Sequence, residues 1–256
     1  MLLTIDVGNT QIYCGVLKNN KVKALFRHTS NGAVTADELG VFLLNALNAN
    51  NIKAKRIKQV AISSVVPAIT RSIIHSIKKY FGLIPFVIDA NIKTKIHADS
   101  GDIKDLGADR IADIEGAFCL YPKTNLIIID FGTAITFDAV AKDGKYLGGA
   151  ISAGPMLSMH ALAGRTALLS TVEIKKPKYA SGLTTETQIQ SGLVLGTIGL
   201  VKEIVNRLKK ECFKKEKFLI IGTGGLGRIF ENENIFDFYE PDLILFGLSS
   251  LTKANK

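Results

Sequence analysis

Two short segments of this 256-residue chain carry the same set of residues. Near the start the chain reads LTIDVGNTQIYCGV (Leu3–Val16), and near the middle IIIDFGTAITFDAV (Ile127–Val140). In each, an apolar run ends in Asp, any residue, Gly and a small hydroxyl or amide residue. A second apolar run follows. Asp6 aligns with Asp130, Gly8 with Gly132 and Asn9 with Thr133. A turn without a bulky side chain lets backbone N–H groups approach phosphate oxygens. A carboxylate beside it can hold Mg²⁺, directly or through water. One such turn alone reads best as a capped β-turn with a glycine at positive φ. Its recurrence about half a chain later favours the chemical reading and indicates a duplicated domain. Two such hairpins facing one another would set two Asp and two glycine turns around a shared cleft suited to a metal-bound polyphosphate.

A third segment, LGADRIADIEGAF (Leu106–Phe118), places Gly107, Ala108, Asp109 and Arg110 at the start of a helix. An Asp there is usually an N-cap. Alternatively, Asp109 lies at the cleft while the helix N-terminus and Arg110 grip a carboxylate. An aspartate within reach of an alcohol can accept its proton as the oxygen attacks phosphorus. A fourth segment, FLIIGTGGLGR (Phe218–Arg228), matches G-x-G-x-x-G after a strand. Too little chain follows for a dinucleotide fold, and Pro241 precedes the one suitably spaced acid, Asp242. A glycine turn passing a nucleotide base or ribose is the preferred reading. Thr185 and Ser191 read as caps or substrate ligands, with caps the default. His160 reads as structural. Neither transition-metal spacing nor a nucleophile elbow occurs.

The elements that position these residues alternate strand and helix. Leu3–Leu17 form a hairpin, Val22–His28 a third strand, and Thr35–Asn48 a helix with one apolar stripe. Gln59–Val66 are a buried strand stopped by Pro67, Ile69–Tyr80 a helix and Pro85–Ile88 a short strand. The second half repeats this order, with a long helix from about Glu186 to Lys210 and a strand at Phe218–Ile221. The predicted domains are 1–121 and 122–256, closely packed because no low-complexity linker separates them. Hydrophobic content of 47% supports a well-formed core. No apolar run is long enough to span a membrane, and the first residues read as a core strand rather than a signal peptide. Three cysteines, Cys14, Cys119 and Cys212, read as small core residues in a reducing, cytoplasmic compartment. The net charge of +9 comes partly from KKPK (Lys175–Lys178) and KKECFKKEK (Lys209–Lys217). These runs read first as solvated surface and second as an attraction for an anion. No aromatic residues interleave with the lysines, which argues against nucleic-acid binding.

Taken together, these motifs resemble those of the type III pantothenate kinases, in the acetate and sugar kinase, Hsp70 and actin superfamily. The segments that carry the resemblance are IDVGNT (Ile5–Thr10), SVVP (Ser64–Pro67), GADRIA (Gly107–Ala112), DFGTA (Asp130–Ala134), YLGGAI (Tyr146–Ile151), QSG (Gln190–Gly192), TGG (Thr223–Gly225) and PDL (Pro241–Leu243). The resemblance implies an α/β fold of duplicated actin-like ATPase (ribonuclease H-like) domains with an interdomain cleft. It implies ATP-dependent phosphorylation of pantothenate to 4′-phosphopantothenate, the first step of coenzyme A synthesis. On that resemblance, Asp6, Val7, Gly8, Asn9, Thr10, Gln11, Ile12 and Tyr13 form the first phosphate-binding turn, with Asp6 near Mg²⁺. Asp109 is the general base, and Gly107, Ala108, Arg110 and Thr185 contact pantothenate. Thr133 contacts ATP, and Asp130 matches the position for a monovalent cation, K⁺ or NH₄⁺. A homodimer is implied, with no nucleic-acid or membrane partner. The sequence departs from the family at Ser100, where Tyr is frequent, at Ile103 in place of Pro, at Ile135 in place of Thr, and at Ser152-Ala153-Gly154. The rival readings are a non-enzymatic nucleotide-binding regulator, motivated by Ser100 and Ile135, and a dinucleotide oxidoreductase built on Gly222–Gly227.

Overall fold

The computed structural model describes residues 1–30, 33–89, 92–98, 103–166 and 169–256. The chain forms two compact units, Met1–Pro122 joined by Leu243–Lys256, and Lys123–Asp242. In the first unit the order is β1 (Leu2–Val7), β2 (Gln11–Lys18), β3 (Lys21–Thr29), α1 (Ala36–Ala49), β4 (Gln59–Ser64), α2 (Pro67–Phe81), β5 (Phe86–Val87) and α3 (Ala108–Leu120). In the second it is β6 (Asn125–Phe131), β7 (Ala134–Val140), β8 (Tyr146–Ala153), α4 (Pro155–Arg165), α5 (Thr185–Leu208), β9 (Phe218–Thr223) and β10 (Phe238–Tyr239). The last helix, α6 (Leu243–Ala254), returns to the first unit.

The duplication is visible strand by strand. The sheets run β3-β2-β1-β4-β5 and β8-β7-β6-β9-β10. In both, the first three strands pair antiparallel and the next two join parallel. Each second strand even carries its register irregularity at the corresponding place, Val16/Leu17 and Ala139/Val140.

Alternation along the strands sets two faces. Leu3, Ile5, Val7, Ile12 and Cys14 are buried in one cluster with Leu39 and Leu43 of α1 and Ile69 and Ile73 of α2. Asp6 therefore points to the other face, the one covered by α3 and α6, which touch β4 and β1. In the second unit Ile127, Ile129, Phe131, Ile135 and Phe137 share a cluster with Met159 of α4 and Val194 and Ile198 of α5. Asp130 thus lies on the face away from those helices.

The expected second domain, 122–256, differs from the unit seen, which ends at Asp242. The reason lies in two glycines. A side chain at Gly116 of α3 would strike the backbone of Leu243, and one at Gly247 of α6 would strike the carbonyl of Ala112. Only bare backbone lets α3 and α6 lie this close, and Leu245 then packs over Gly15 of β2.

Two cysteines also differ from the core reading. Cys14 is buried, and burial together with the charge of Asp6 pushes its thiol pKa far up. Cys119 is exposed and Cys212 is half-buried, its thiol raised by burial. His160 is exposed on α4.

Candidate active site

The first turn, Gly8–Gln11, joins β1 to β2. The Gly8 N–H donates to the Gln11 carbonyl at 3.0 Å, closing the loop. It is braced from the end of β3: Ser30 Oγ donates to the Gly8 carbonyl at 2.5 Å, and the Ser30 N–H to the Thr10 carbonyl at 2.9 Å. The side chains of Asn9, Thr10 and Gln11 are exposed. Asp6 is half-buried, with Tyr13 and Ser63 as its cross-strand partners. Cross-strand partners share a face, so Ser63, Asp6, Tyr13 and Arg27 form one row across four strands. The Arg27 guanidinium lies 4.1 Å from the centre of the Tyr13 ring. Among the described residues, Ser63 Oγ is buried without a hydrogen-bond partner.

Asp109 does not act as the helix N-cap. Gly107 occupies that place and Asp109 lies within the first turn of α3. Its Oδ1 accepts the Arg110 N–H at 2.8 Å, while Oδ2 makes no hydrogen bond among the described residues. The carboxylate folds back over Gly107, where a β-carbon would collide with it. Gly107 also faces Val65, a β-carbon there lying 3.8 Å from Val65 Cγ1. The Val65 N–H donates to the Val7 carbonyl at 3.1 Å. Gly107–Arg110 and the Asp6–Tyr13 turn therefore meet at one end of the first unit. SVVP builds this end. The Ser64 hydroxyl accepts the Val66 N–H at 3.1 Å and the Thr70 hydroxyl at 2.6 Å, and Pro67 opens α2.

The second unit repeats the turn with one residue fewer. Asp6 pairs with Tyr13, whereas Asp130 pairs with Thr136. The Gly132 N–H donates to the Ala134 carbonyl at 3.0 Å, and the Gly154 N–H to the Thr133 carbonyl at 3.0 Å. Matching these bonds to those of the first turn pairs Thr133 with Thr10 and Gly154 with Ser30. Asn9 is the extra residue, so the pairing of Asn9 with Thr133 does not hold. Ser30 escaped the motif reading, although it stands at the same spacing from Asp6 as Gly154 does from Asp130.

The glycine segment after β9 locks onto this turn. Gly224 has φ +86°, and a β-carbon on it would strike the Asp130 carboxylate and sit 2.7 Å from the Phe131 nitrogen. The Leu226 N–H donates to the Phe131 carbonyl at 3.1 Å. Tyr239 donates its hydroxyl to the Gly224 carbonyl at 2.8 Å, and buried Thr223 donates to the Glu240 carbonyl at 2.8 Å. Only a short 3₁₀ turn, Gly227–Phe230, follows. A dinucleotide site needs a full helix N-terminus at that point, so the oxidoreductase reading fails.

Thr185 is the exposed first residue of α5. Capping falls to Thr184, which accepts the Thr187 N–H at 3.2 Å, so the Thr185 hydroxyl is left without a hydrogen bond among the described residues. Ser191 ties α5 to the Ala180 carbonyl at 2.6 Å. Of the departures, Ile135 is buried in the core cluster with residues of α4 and α5. Ile103 begins a 3₁₀ turn, and its carbonyl accepts the Leu106 N–H at 3.0 Å. Ser100 lies outside the described residues.

A solved structure, the activator of the 2-hydroxyisocaproyl-CoA dehydratase from Clostridium difficile with bound ADPNP, superposes with a TM-score of 0.54 at 13% identity. The match covers 99% of this chain and 95% of that one, and supports the fold alone: two α/β units of the actin-like ATPase kind. A type III pantothenate kinase from Elusimicrobium minutum is 50% identical over 256 residues, covering 100% of this chain and 99% of that protein. One from Legionella pneumophila (strain Corby) is 43% identical over 255 residues, covering 100% and 99%. The family model for type III pantothenate kinase matches residues 2–207, a span that holds both Asp-x-Gly turns and Gly107–Arg110. On that match and the end-to-end likeness to these relatives, the chain belongs to the type III pantothenate kinase family.

Proposed function

We propose that this protein transfers the γ-phosphoryl group of ATP to the primary hydroxyl of pantothenate, giving 4′-phosphopantothenate and ADP, the first step of coenzyme A synthesis. The observation that carries this reading is Asp109. It is half-buried at the start of α3 with one oxygen tied to the Arg110 N–H, and it shares an end of the first unit with the Asp6 turn.

Asp109 Oδ2 takes the hydroxyl proton as the alcohol oxygen forms its bond to phosphorus, and the bond to the ADP oxygen breaks. Gly107, Ala108, Arg110 and Thr185 hold pantothenate, with Arg110 directed at its carboxylate. Val7–Tyr13 offer the phosphates a turn of backbone N–H groups, and Thr133 contacts ATP. Among the described residues no group of three His, Cys, Asp or Glu could hold a metal alone. That suits Mg²⁺, which keeps waters and shares one or two carboxylates with phosphate oxygens. Asp6 fits as its carboxylate, and the unpartnered Ser63 hydroxyl beside it fits a ligand's or water's hydrogen bond. Asp130 fits a monovalent cation, K⁺ or NH₄⁺. Bound there, these ions would offset the charge of the phosphates.

A second copy of the chain is the expected partner. Gly192, Leu195, Gly196 and Gly199 make one exposed stripe on α5, with open space beside each glycine. Glycine costs about 1 kcal/mol per helix position, a cost that a closely packed neighbouring helix would offset. No described helix is long and apolar enough to cross a membrane. A cytoplasmic location agrees with three free cysteines.

The test is ADP release coupled to pantothenate addition, with and without K⁺. Asp109→Asn should lower turnover by about 10²- to 10⁴-fold while calorimetry shows ATP affinity unchanged. Full turnover in that variant would remove Asp109 from the mechanism.

A further inference from the structure

We propose that the second unit carries a separate site for a small organic phosphate, in the lysine-lined groove at the N-terminal edge of its sheet. This goes beyond the kinase reading. The groove has a volume of about 740 Å³ and is lined by Lys209, Lys214, Lys215, Lys217, Phe218 and Leu219. That size is in the usual range for small-molecule sites. Phe218 begins β9, and Asn125, its partner, begins β6. Asp130 lies at the other end of β6, roughly 16 Å away at about 3.3 Å per residue. The groove is therefore distinct from the nucleotide turn.

Exposed lysines are weak evidence alone, because water and salt screen them. Three further observations point to a ligand. First, the charge is not neutralised from within. Glu216, the carboxylate in the lining, accepts from Asn125 Nδ2 at 3.1 Å and lies 3.8 Å from Lys142 Nζ. Lys214, Lys215 and Lys217 have no ion pair among the described residues. Second, the backbone is forced. Helix α5 runs into a π-helical turn, Lys209–Phe213, and Lys214 follows at φ 49° and ψ −100°. A residue with a β-carbon avoids this region, where glycine is at ease. Two bonds hold the bend, Lys214 N–H to the Lys209 carbonyl at 3.0 Å and Glu216 N–H to the Phe213 carbonyl at 2.7 Å. Lys214 takes this bend while its side chain lines the groove. Third, the floor is apolar and aromatic. The Phe218 ring stacks on Phe213 at 5.3 Å, with Lys209 Nζ 5.9 Å from the Phe218 ring centre. Cations around an aromatic floor fit a phosphate joined to a planar or apolar group.

The first unit supplies an internal control. A groove of about 290 Å³ at the matching edge of its sheet is lined by Lys18, Lys58, Lys253 and Lys256 and includes no aromatic residue. Generic electrostatic attraction would treat both grooves alike.

The experiment is a titration of the uniformly ¹⁵N-labelled full chain with phenyl phosphate, followed by amide chemical shifts. Saturable shifts are expected at Phe213, Lys214 and Phe218, with a dissociation constant on the order of 1 mM. Lys18 and Lys58 should move less, and phenol should cause no matching shifts. Combining Lys214→Ala with Lys217→Ala should weaken binding about tenfold, with pantothenate turnover unchanged. Lys214→Gly should melt at a higher temperature than the parent and still bind more weakly, which separates lost contact from lost fold. Absence of saturation, equal shifts in both grooves, unchanged affinity in Lys214→Gly, or tighter binding of a short single-stranded RNA would each overturn the proposal.

Discussion

Gly224 sits with its α-carbon against the carboxylate of Asp130, at a φ that L-residues rarely adopt. Two penalties coincide there for any side chain, backbone strain and a collision with the next strand's turn. Gly224→Ala should therefore cost at least ~2 kcal/mol, read from the urea midpoint, and weaken activation by K⁺. A variant as stable and as K⁺-responsive as the parent would mean the two turns are not packed as described. The residue scale also shows where sequence reading reached its limit. The carboxylates and glycines of the two turns align by eye because Asp and Gly are rare within apolar runs. The extra Asn9 was not legible, since an alignment without gaps looks equally good for a short motif. Strand register resolves it: shifting one residue flips every side chain to the other face, and Ile12 and Ile135 must both point into their cores. The bracing by Ser30 was hidden for a different reason. One of its bonds, like that of Gly154, joins backbone groups, which leave no mark on residue type, and its hydroxyl bond comes from a residue remote from the motif.

Local elements were largely written in local chemistry. The helix expected over Thr35–Asn48 spans Ala36–Ala49, with Thr35 as N-cap in a reciprocal bond with Glu38. Thr35 N–H and Oγ1 both donate to Glu38 Oε2, at 2.7 and 2.8 Å. These bonds hold the Glu38 carboxyl below its ordinary value of 4.5, with the backbone bond the larger cause. A depressed folded pKa means the contribution is present above the unfolded value and fades as pH falls through the folded one. Glu38→Gln should thus lower the melting temperature near neutral pH, and the gap between variant and parent should close as pH falls below the ordinary glutamate range. A gap independent of pH would show that the charge is not what the cap uses. What local chemistry did not reveal is the destination of α6. Its largely apolar sequence, LILFGLSSL, says that the helix is buried, and leaves the partner open. That partner is fixed by Gly116 and Gly247, two positions remote in sequence whose meaning appears only once the helices touch.

At the scale of the molecule, both units use one strand order and one turn design, yet differ in what covers them. The exposed stripe of α5, Gly192, Leu195, Gly196 and Gly199, belongs to the second unit and supports assembly of two copies. Light scattering is expected to give twice the 27.7 kDa chain mass. Leu195→Glu should shift the protein to the single-chain mass, because a carboxylate in a tight helix contact is left without solvent or partner. An unchanged mass would place the interface elsewhere. The membership of Leu243–Lys256 in the first unit has a further consequence, for synthesis. Lys123–Asp242 can close as soon as it leaves the ribosome, whereas the portion made earliest waits for Leu243–Lys256 before α3 gains its cover. Until those residues emerge, Ala112 and Gly116 lack the helix that packs on them, so the unit begun second is free to finish first.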